Sequence, residues 1–289
     1  MAVGAAGLAR RGHRAYRGVV ARRDGRPLRW HGILRSFVLP AYNESGYIAE
    51  MLARTLAAGE MRPDPFEVIV VDNASTDDTA AIVAEIAATD PRVRLHRHPV
   101  NRLYAASCLT GTRAARGDRI FILDSDGQHS PSDIWPFDAK LEAGYDVVFG
   151  WRQKRHETLQ RILLSKVLLG LTRAYIGFPL HDINCGIRGF DRAYAEQLDI
   201  HHWLNLVNPE LYVRARTGGF RIGEVAVIQE KRKAGSSSQE FSRAWTVFRA
   251  VNAYLIALRR ELRNPPNSTA LAASENDAAV GASRSPGRE

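Results

Sequence analysis

The sequence predicts an α/β domain built on a doubly wound, mostly parallel sheet flanked by helices. Three observations predict it: short β-branched runs recur between residues 33 and 150, stretches of helical spacing separate them, and polar residues follow the runs. Alternation of this kind implies parallel strands joined by crossover helices. Ligands in such sheets lie beyond the carboxyl ends of the strands, so the residue after each run is a candidate site residue.

The strand candidates are residues 36–39, 67–71, 93–97, 119–123 and 146–150. Residues 45–58, 77–88 and 101–116 carry helical spacing, and Ser75, Thr76 and Asp77 supply an N-cap for the second of these helices. Beyond Gly150 the pattern loosens into a helix over 159–175, a polar turn over 181–188, a helix over 208–217 and a strand over 220–228. A basic, Ser-rich loop over 231–238 precedes a last helix over 241–263. One catalytic domain is expected over 33–263, with a nucleotide-binding half (33–150) and an acceptor half (151–263).

The 289 residues carry a net charge of +9, which resembles a nucleic-acid footprint until its position is noted. Residues 1–29 hold eight Arg and one acid, Asp24, so this arm carries +7 and the rest only +2. The arm lacks the apolar periodicity to bury a face and the apolar run of a secretory signal, and it is expected to be disordered over 1–32. Residues 264–289 are small, polar and Pro-bearing, and read as a second disordered tail. Cys108 and Cys185 make neither a disulfide framework nor a zinc site, which sets a reducing cytoplasm as the default compartment. No apolar stretch approaches the roughly 20 residues that span a bilayer. Membrane contact is therefore expected to be peripheral, at the inner face, and no nucleic-acid partner is expected.

Polar residues follow four of the strands: Pro40, Tyr42 and Glu44 after the first, Asp72 after the second, Asp124 and Asp126 after the fourth, and Arg152 after the fifth. The first turn has a single glycine, so it is no dinucleotide-binding turn, and no Walker motif occurs. Two carboxylates one residue apart after an apolar run are costly to bury unpaired, and a hard divalent cation relieves that cost. Mg²⁺ takes oxygen ligands shared with substrate phosphates, and Asp126 with the carbonyl of Gln128 offers such a partial shell. The plainer alternative is an Asx turn made by Asp124 and Ser125, with Asp126 solvated.

Five strings, VLPAYNE (38–44), VVDNASTDDT (70–79), ARGDRIFILDSDGQHSP (115–131), GWR (150–152) and DINCGIRGFDR (182–192), together resemble family 2 glycosyltransferases. The nearest branch is the dolichol-phosphate mannosyltransferase-like group, and the similarity runs in order from residue 36 to 238. The resemblance implies a GT-A fold and a base and ribose pocket lined by Pro40, Tyr42 and Glu44, with Asp72 on the base edge. Asp124 and Asp126 match the D-x-D motif and Gln128 its accompanying glutamine, which makes these three the candidate ligands of Mg²⁺ or Mn²⁺. Arg152 matches the arginine that meets the diphosphate, and Arg232 with Ser236 falls in a loop that closes over phosphate. Two positions depart from the pattern: Asp-Asp-Gly becomes Asp72-Asn73-Ala74, and the glycine two residues after Asn101 becomes Leu103.

The expected reaction moves a hexose from a UDP- or GDP-sugar to a polyprenyl phosphate with inversion. A soluble hydroxyl acceptor is the alternative within the class, and a nucleic-acid- or lipid-binding module working through the basic arm is the alternative outside it. A hydroxyl needs a general base, whereas a phosphate monoester is already anionic. Asp182 is the base candidate; it equally fits a carboxylate paired with Arg188 to hold its turn. Cys185 and His129 read as structural. The helices over 159–175 and 241–263 are amphipathic and basic enough for a membrane interface, but core packing of their apolar sides is the commoner arrangement.

Overall fold

The computed structural model describes residues 19–21, 27–29, 32–154, 159–200, 206–230 and 244–264. Within the arm, β1 (Val19–Ala21) and β2 (Pro27–Arg29) pair antiparallel. Adjacent β-branched Val19 and Val20 favour an extended ladder.

The main sheet has seven strands: β3 (Arg35–Ala41), β4 (Phe66–Asp72), β5 (Val93–Arg97), β6 (Arg119–Ile122), β7 (Val147–Lys154), β8 (Arg188–Asp191) and β9 (Ile222–Ile228). Their order is β5-β4-β3-β6-β8-β7-β9. Neighbours are parallel except at β8, which runs antiparallel to both β6 and β7. Strands from both halves of the sequence therefore share one sheet.

Side chains alternate between the faces of a strand, so Phe37, Leu39, Phe121 and Leu123 enter one core while Val38, Ile120 and Ile122 enter the other. Both faces are covered, which is why these strands read as continuous apolar runs. Helices α1 (Ile48–Glu60), α2 (Thr79–Thr89) and α4 (Ile134–Glu142) pack on the first face. Helices α3 (Leu103–Ala114), α5 (Leu159–Ile176), α7 (Val207–Thr217) and α8 (Ala244–Arg263) pack on the second, with the short α6 (Arg192–Glu196) after β8.

The predicted cap of α2 lies one residue early. Asp78 occupies the N-cap position without a side-chain bond, and Asp77 accepts from the Thr79 N–H at 3.0 Å instead. The two candidate interface helices do pack on the core, α8 through Val251, Tyr254, Leu255 and Leu258. Their outer faces differ: α5 leaves Leu163, Leu164 and Val167 exposed, and α8 exposes Arg249, Arg259, Arg260 and Arg263. Among the described residues no helix is long and apolar enough to cross a membrane.

Candidate active site

The chain passes from β3 outward to β4 and β5 and then returns to β6 on the other side of β3, leaving a crevice above the β3 and β6 carboxyl ends. The Ser125 hydroxyl bridges the two ends by donating to the Pro40 carbonyl at 2.8 Å. Tyr42 stands exposed at the rim, and Glu44 is buried behind it. The loops after β3 and β4 are laced together: Asn43 N–H donates to Ser75 Oγ, Glu44 N–H to Thr79 Oγ1 at 2.8 Å, and Ser45 N–H to Asp77 Oδ2 at 3.1 Å. Burial opposes ionisation of Asp77, yet hydrogen bonds from Thr79 and Ser45 outweigh it and hold the carboxyl at about 2.

Asp72 is fully buried at the end of β4. Its Oδ1 accepts from Ser75 N–H, and Arg97 Nε lies 3.1 Å from Oδ2, within ion-pair reach but off the line of a hydrogen bond. Asn73 has a structural task. Its Oδ1 meets His98 Nδ1 at 3.0 Å and Arg102 N–H at 2.9 Å, and its Nδ2 donates to Asn101, so it fixes the segment leading into α3. Both departures from the family pattern fall on left-handed backbone: Ala74 has φ +61° and Leu103 φ +66°. The chain keeps a conformation suited to glycine at both places after losing the glycine.

Asp124 follows Leu123 directly, and its Oδ1 accepts the Tyr104 hydroxyl at 2.5 Å. Its other oxygen lies so close to Gly186 that a Cβ there would overlap the carboxylate. The Asx turn is made by Asp126, which accepts from Gln128 N–H at 3.1 Å, and not by Asp124 and Ser125. The Gln128 carbonyl accepts from Glu230 N–H at 2.8 Å, tying this turn to the end of β9. Among the described residues no group of three or more His, Cys, Asp or Glu could hold a metal by itself. Two half-buried carboxylates on one turn with Gln128 fit the incomplete oxygen shell of an Mg²⁺- or Mn²⁺-type ion that shares substrate phosphates.

The antiparallel β8 explains how the 181–188 turn reaches the site. Entering the sheet between β6 and β7, it places Arg188 level with Ile122 and Phe149 and leaves Asp182 above their ends. Asp182, 1% exposed, takes Arg152 in a bidentate pair, Nε to Oδ2 at 2.7 Å and Nη2 to Oδ1 at 3.0 Å. Arg152 N–H and Asn184 N–H occupy the same two oxygens at 3.3 and 3.1 Å. The alternative pairing of Asp182 with Arg188 does not form; Arg188 donates to Tyr104 instead. His181 pairs with Glu224, and the buried His129 lies 4.0 Å from Cys185 Sγ. Burial outweighs nearby Asp124 and holds the His129 imidazole below its ordinary pKa.

Arg232 and Ser236 lie outside the described residues. The remaining predicted site residues, Pro40, Tyr42, Glu44, Asp72, Asp124, Asp126, Gln128, Arg152 and Asp182, all fall at this carboxyl edge. Sequence reasoning passed over Tyr104, Gly186 and Glu230. Only Gly186, inside the string DINCGIRGFDR, carried a signal.

Residues 36–199 match the glycosyl transferase family 2 model. Undecaprenyl-phosphate 4-deoxy-4-formamido-L-arabinose transferase of Shewanella sediminis (strain HAW-EB3) is 30% identical over 210 residues, covering 71% of this chain and 62% of its own length. The protein of the same description in Enterobacter sp. (strain 638) is 31% identical over 72% of this chain and 63% of its own. The chain thus spans less than two thirds of these relatives. Among solved structures, glucosyl-3-phosphoglycerate synthase from Mycobacterium tuberculosis in complex with uridine-diphosphate aligns with a TM-score of 0.59 at 23% identity, covering 82% of each chain. Its complex with Mn²⁺, uridine-diphosphate-glucose and phosphoglyceric acid aligns with a TM-score of 0.60 at 22% identity over the same shares. These likenesses concern the fold, which is GT-A. On the match over more than half its length, the chain belongs to glycosyl transferase family 2.

Proposed function

We propose that this protein transfers a glycosyl group from a UDP- or GDP-sugar to a polyprenyl phosphate, with inversion and with the aid of Mg²⁺ or Mn²⁺. The observation that carries the choice of acceptor is the state of Asp182. Its two oxygens already receive four N–H groups, two of them from a guanidinium. A general base needs a lone pair facing the proton it removes, and Asp182 offers one only by breaking a buried ion pair. A phosphate oxygen needs no such base. The relatives described as undecaprenyl-phosphate transferases support the same reading.

In this reading Pro40, Tyr42 and Glu44 line the base and ribose pocket, and Asp72 sits behind Arg97 at the base edge. Asp124, Asp126 and Gln128 would hold the divalent ion, which neutralises charge on the diphosphate. Arg152, aligned by Asp182, faces the same diphosphate and stabilises the charge that grows as the sugar–phosphate bond breaks. The acceptor phosphate oxygen forms the new bond at the anomeric carbon from the opposite side, and the nucleoside diphosphate leaves with the bonding pair. Arg232 and Ser236 are proposed to close over the phosphates.

A polyprenyl acceptor also gives the outer faces of α5 and α8 a use. Leu163, 65% exposed, and Val167, 50% exposed, form an apolar strip on α5 beside exposed Lys166 and Arg173. With the exposed arginines of α8, this is the composition of a face that lies peripherally on an anionic bilayer, as expected at the cytoplasmic face. The reading is tested by offering UDP- and GDP-sugars, with Mg²⁺ or Mn²⁺, to a short-chain polyprenyl phosphate and to soluble alcohols. Transfer to the lipid phosphate is expected. Transfer to an alcohol with none to any polyprenyl phosphate defeats the reading.

A further inference from the structure

Arg188 is the largest fully buried side chain described, and its position is hard to explain by stability. Among the described residues its Nε and Nη1 have no hydrogen-bond partner. Nη2 reaches the Tyr104 hydroxyl at 2.9 Å and the Cys185 carbonyl at 3.4 Å. A buried cation with two unspent donors and no direct carboxylate contributes less to folding than an apolar side chain of similar volume. The anion that balances it is one hydroxyl away. Tyr104 accepts from Arg188 and donates to Asp124 Oδ1 at 2.5 Å, so cation, hydroxyl and carboxylate form a single file.

Local structure brings the three together from distant parts of the chain. Tyr104 is delivered by the first turn of α3, directly after the left-handed Leu103. Arg188 opens β8 opposite Ile122, two residues before Asp124. Gly186, two residues earlier, presses on the other oxygen of the same carboxylate. One oxygen is thus bonded and the other packs against the Gly186 backbone, which favours one orientation of the Asp124 carboxylate.

We propose that Arg188 is a positioning residue that acts through Tyr104 to orient Asp124 for the divalent ion and the donor diphosphate. This rests on the reading of Asp124 as a metal ligand and adds the outer partners that aim it. Such partners of a metal ligand are worth about 10–100-fold in metal affinity. A cation behind the hydroxyl also polarises it toward the carboxylate, which strengthens the hold.

The test is calorimetric binding of UDP and of GDP, with Mn²⁺ and with EDTA, to wild type, Tyr104→Phe, Arg188→Met and the double variant, beside thermal melts. The expected result is an apparent Mn²⁺ affinity about 10–100-fold weaker in each single variant. The double variant should lose little more, because both changes cut the same file. Binding in EDTA and the melting temperature of Tyr104→Phe should stay close to wild type, and Arg188→Met should melt no lower. Wild-type Mn²⁺ affinity in Tyr104→Phe overturns the inference, as does full additivity of the two losses. Absence of Mn²⁺-dependent nucleotide binding in wild type overturns the donor-site reading, and the inference with it.

Discussion

Replacing Asp182 by Asn separates the two tasks a carboxylate at this place can perform. The side chain is 1% exposed and its partner Arg152 is 10% exposed at the side chain, so the pair is desolvated on both sides. Removing one member of a buried pair costs about 3–5 kcal/mol. Asn keeps one acceptor of similar shape, and a hydrogen bond to a charged group recovers about 1.5–3 kcal/mol. A net loss of about 2 kcal/mol is therefore expected, which for a domain of this size lowers the melting temperature by roughly 4–8 °C.

The catalytic consequence differs from that of losing a base. Arg152 remains charged but is less well aimed at the diphosphate, so the rate should fall while the shape of its pH profile is kept. The assay is the initial rate of transfer to a short-chain polyprenyl phosphate from about pH 5.5 to 9, beside a thermal melt. If the acidic limb disappears together with a loss of about 10²–10⁴-fold, Asp182 is a general base and the phosphate-acceptor argument fails. An unchanged melting temperature would show that the buried pair does not exist in solution.

Asp126→Ala should abolish metal-dependent turnover while the protein stays folded, since Asp126 is half-buried and its bond to the Gln128 N–H closes a local turn; activity near wild type with unchanged ion dependence would remove it from the site. Asp77→Asn should destabilise the protein fully above about pH 4, the ordinary carboxylate range, and less as pH falls toward about 2, because a depressed pKa stabilises only the ionised group. Urea midpoints that match wild type near neutral pH would contradict that account. Ala74→Gly and Leu103→Gly should each stabilise by about 1 kcal/mol, the strain of left-handed backbone at a non-glycine residue. No rise in the urea midpoint for either would mean the strain is relieved elsewhere.

The inner strands of residues 33–150 were legible because both their faces are buried, which writes them as largely apolar runs ending in a polar residue, whereas the edge strand β5 is only part-buried and its run, VRLHR, is mixed. That same ending exposed Asp72, Asp124 and Arg152. β8 was not legible: Arg188-Gly189-Phe190-Asp191 has no β-branched residue and no alternation, and Gly189 is tolerated because the Phe121 ring packs over it. α4 was hidden by Pro136 and Asp138, although a proline in the first turn leaves no helical N–H unsatisfied. The partner of Asp182 could not be read either. Six residues separate it from Arg188 in sequence, and thirty from Arg152, yet only the distant arginine lies on the neighbouring strand.

The unpredicted strand also joins the two halves of the sequence at the candidate site. Because β8 enters between β6 and β7 against their direction, the residues that precede it lie over both carboxyl ends at once. From that single segment, Gly186 meets Asp124, Arg188 meets Tyr104, and Asp182 meets Arg152. Support for the D-x-D carboxylate therefore comes from both sides of residue 150, from Tyr104 before it and from Gly186 and Arg188 beyond it. It follows that substitutions on the acceptor side of the sequence should alter metal dependence as well as acceptor use. Glu230 extends the point: its N–H holds the Gln128 carbonyl, so even the end of β9 bears on the turn that carries Asp126.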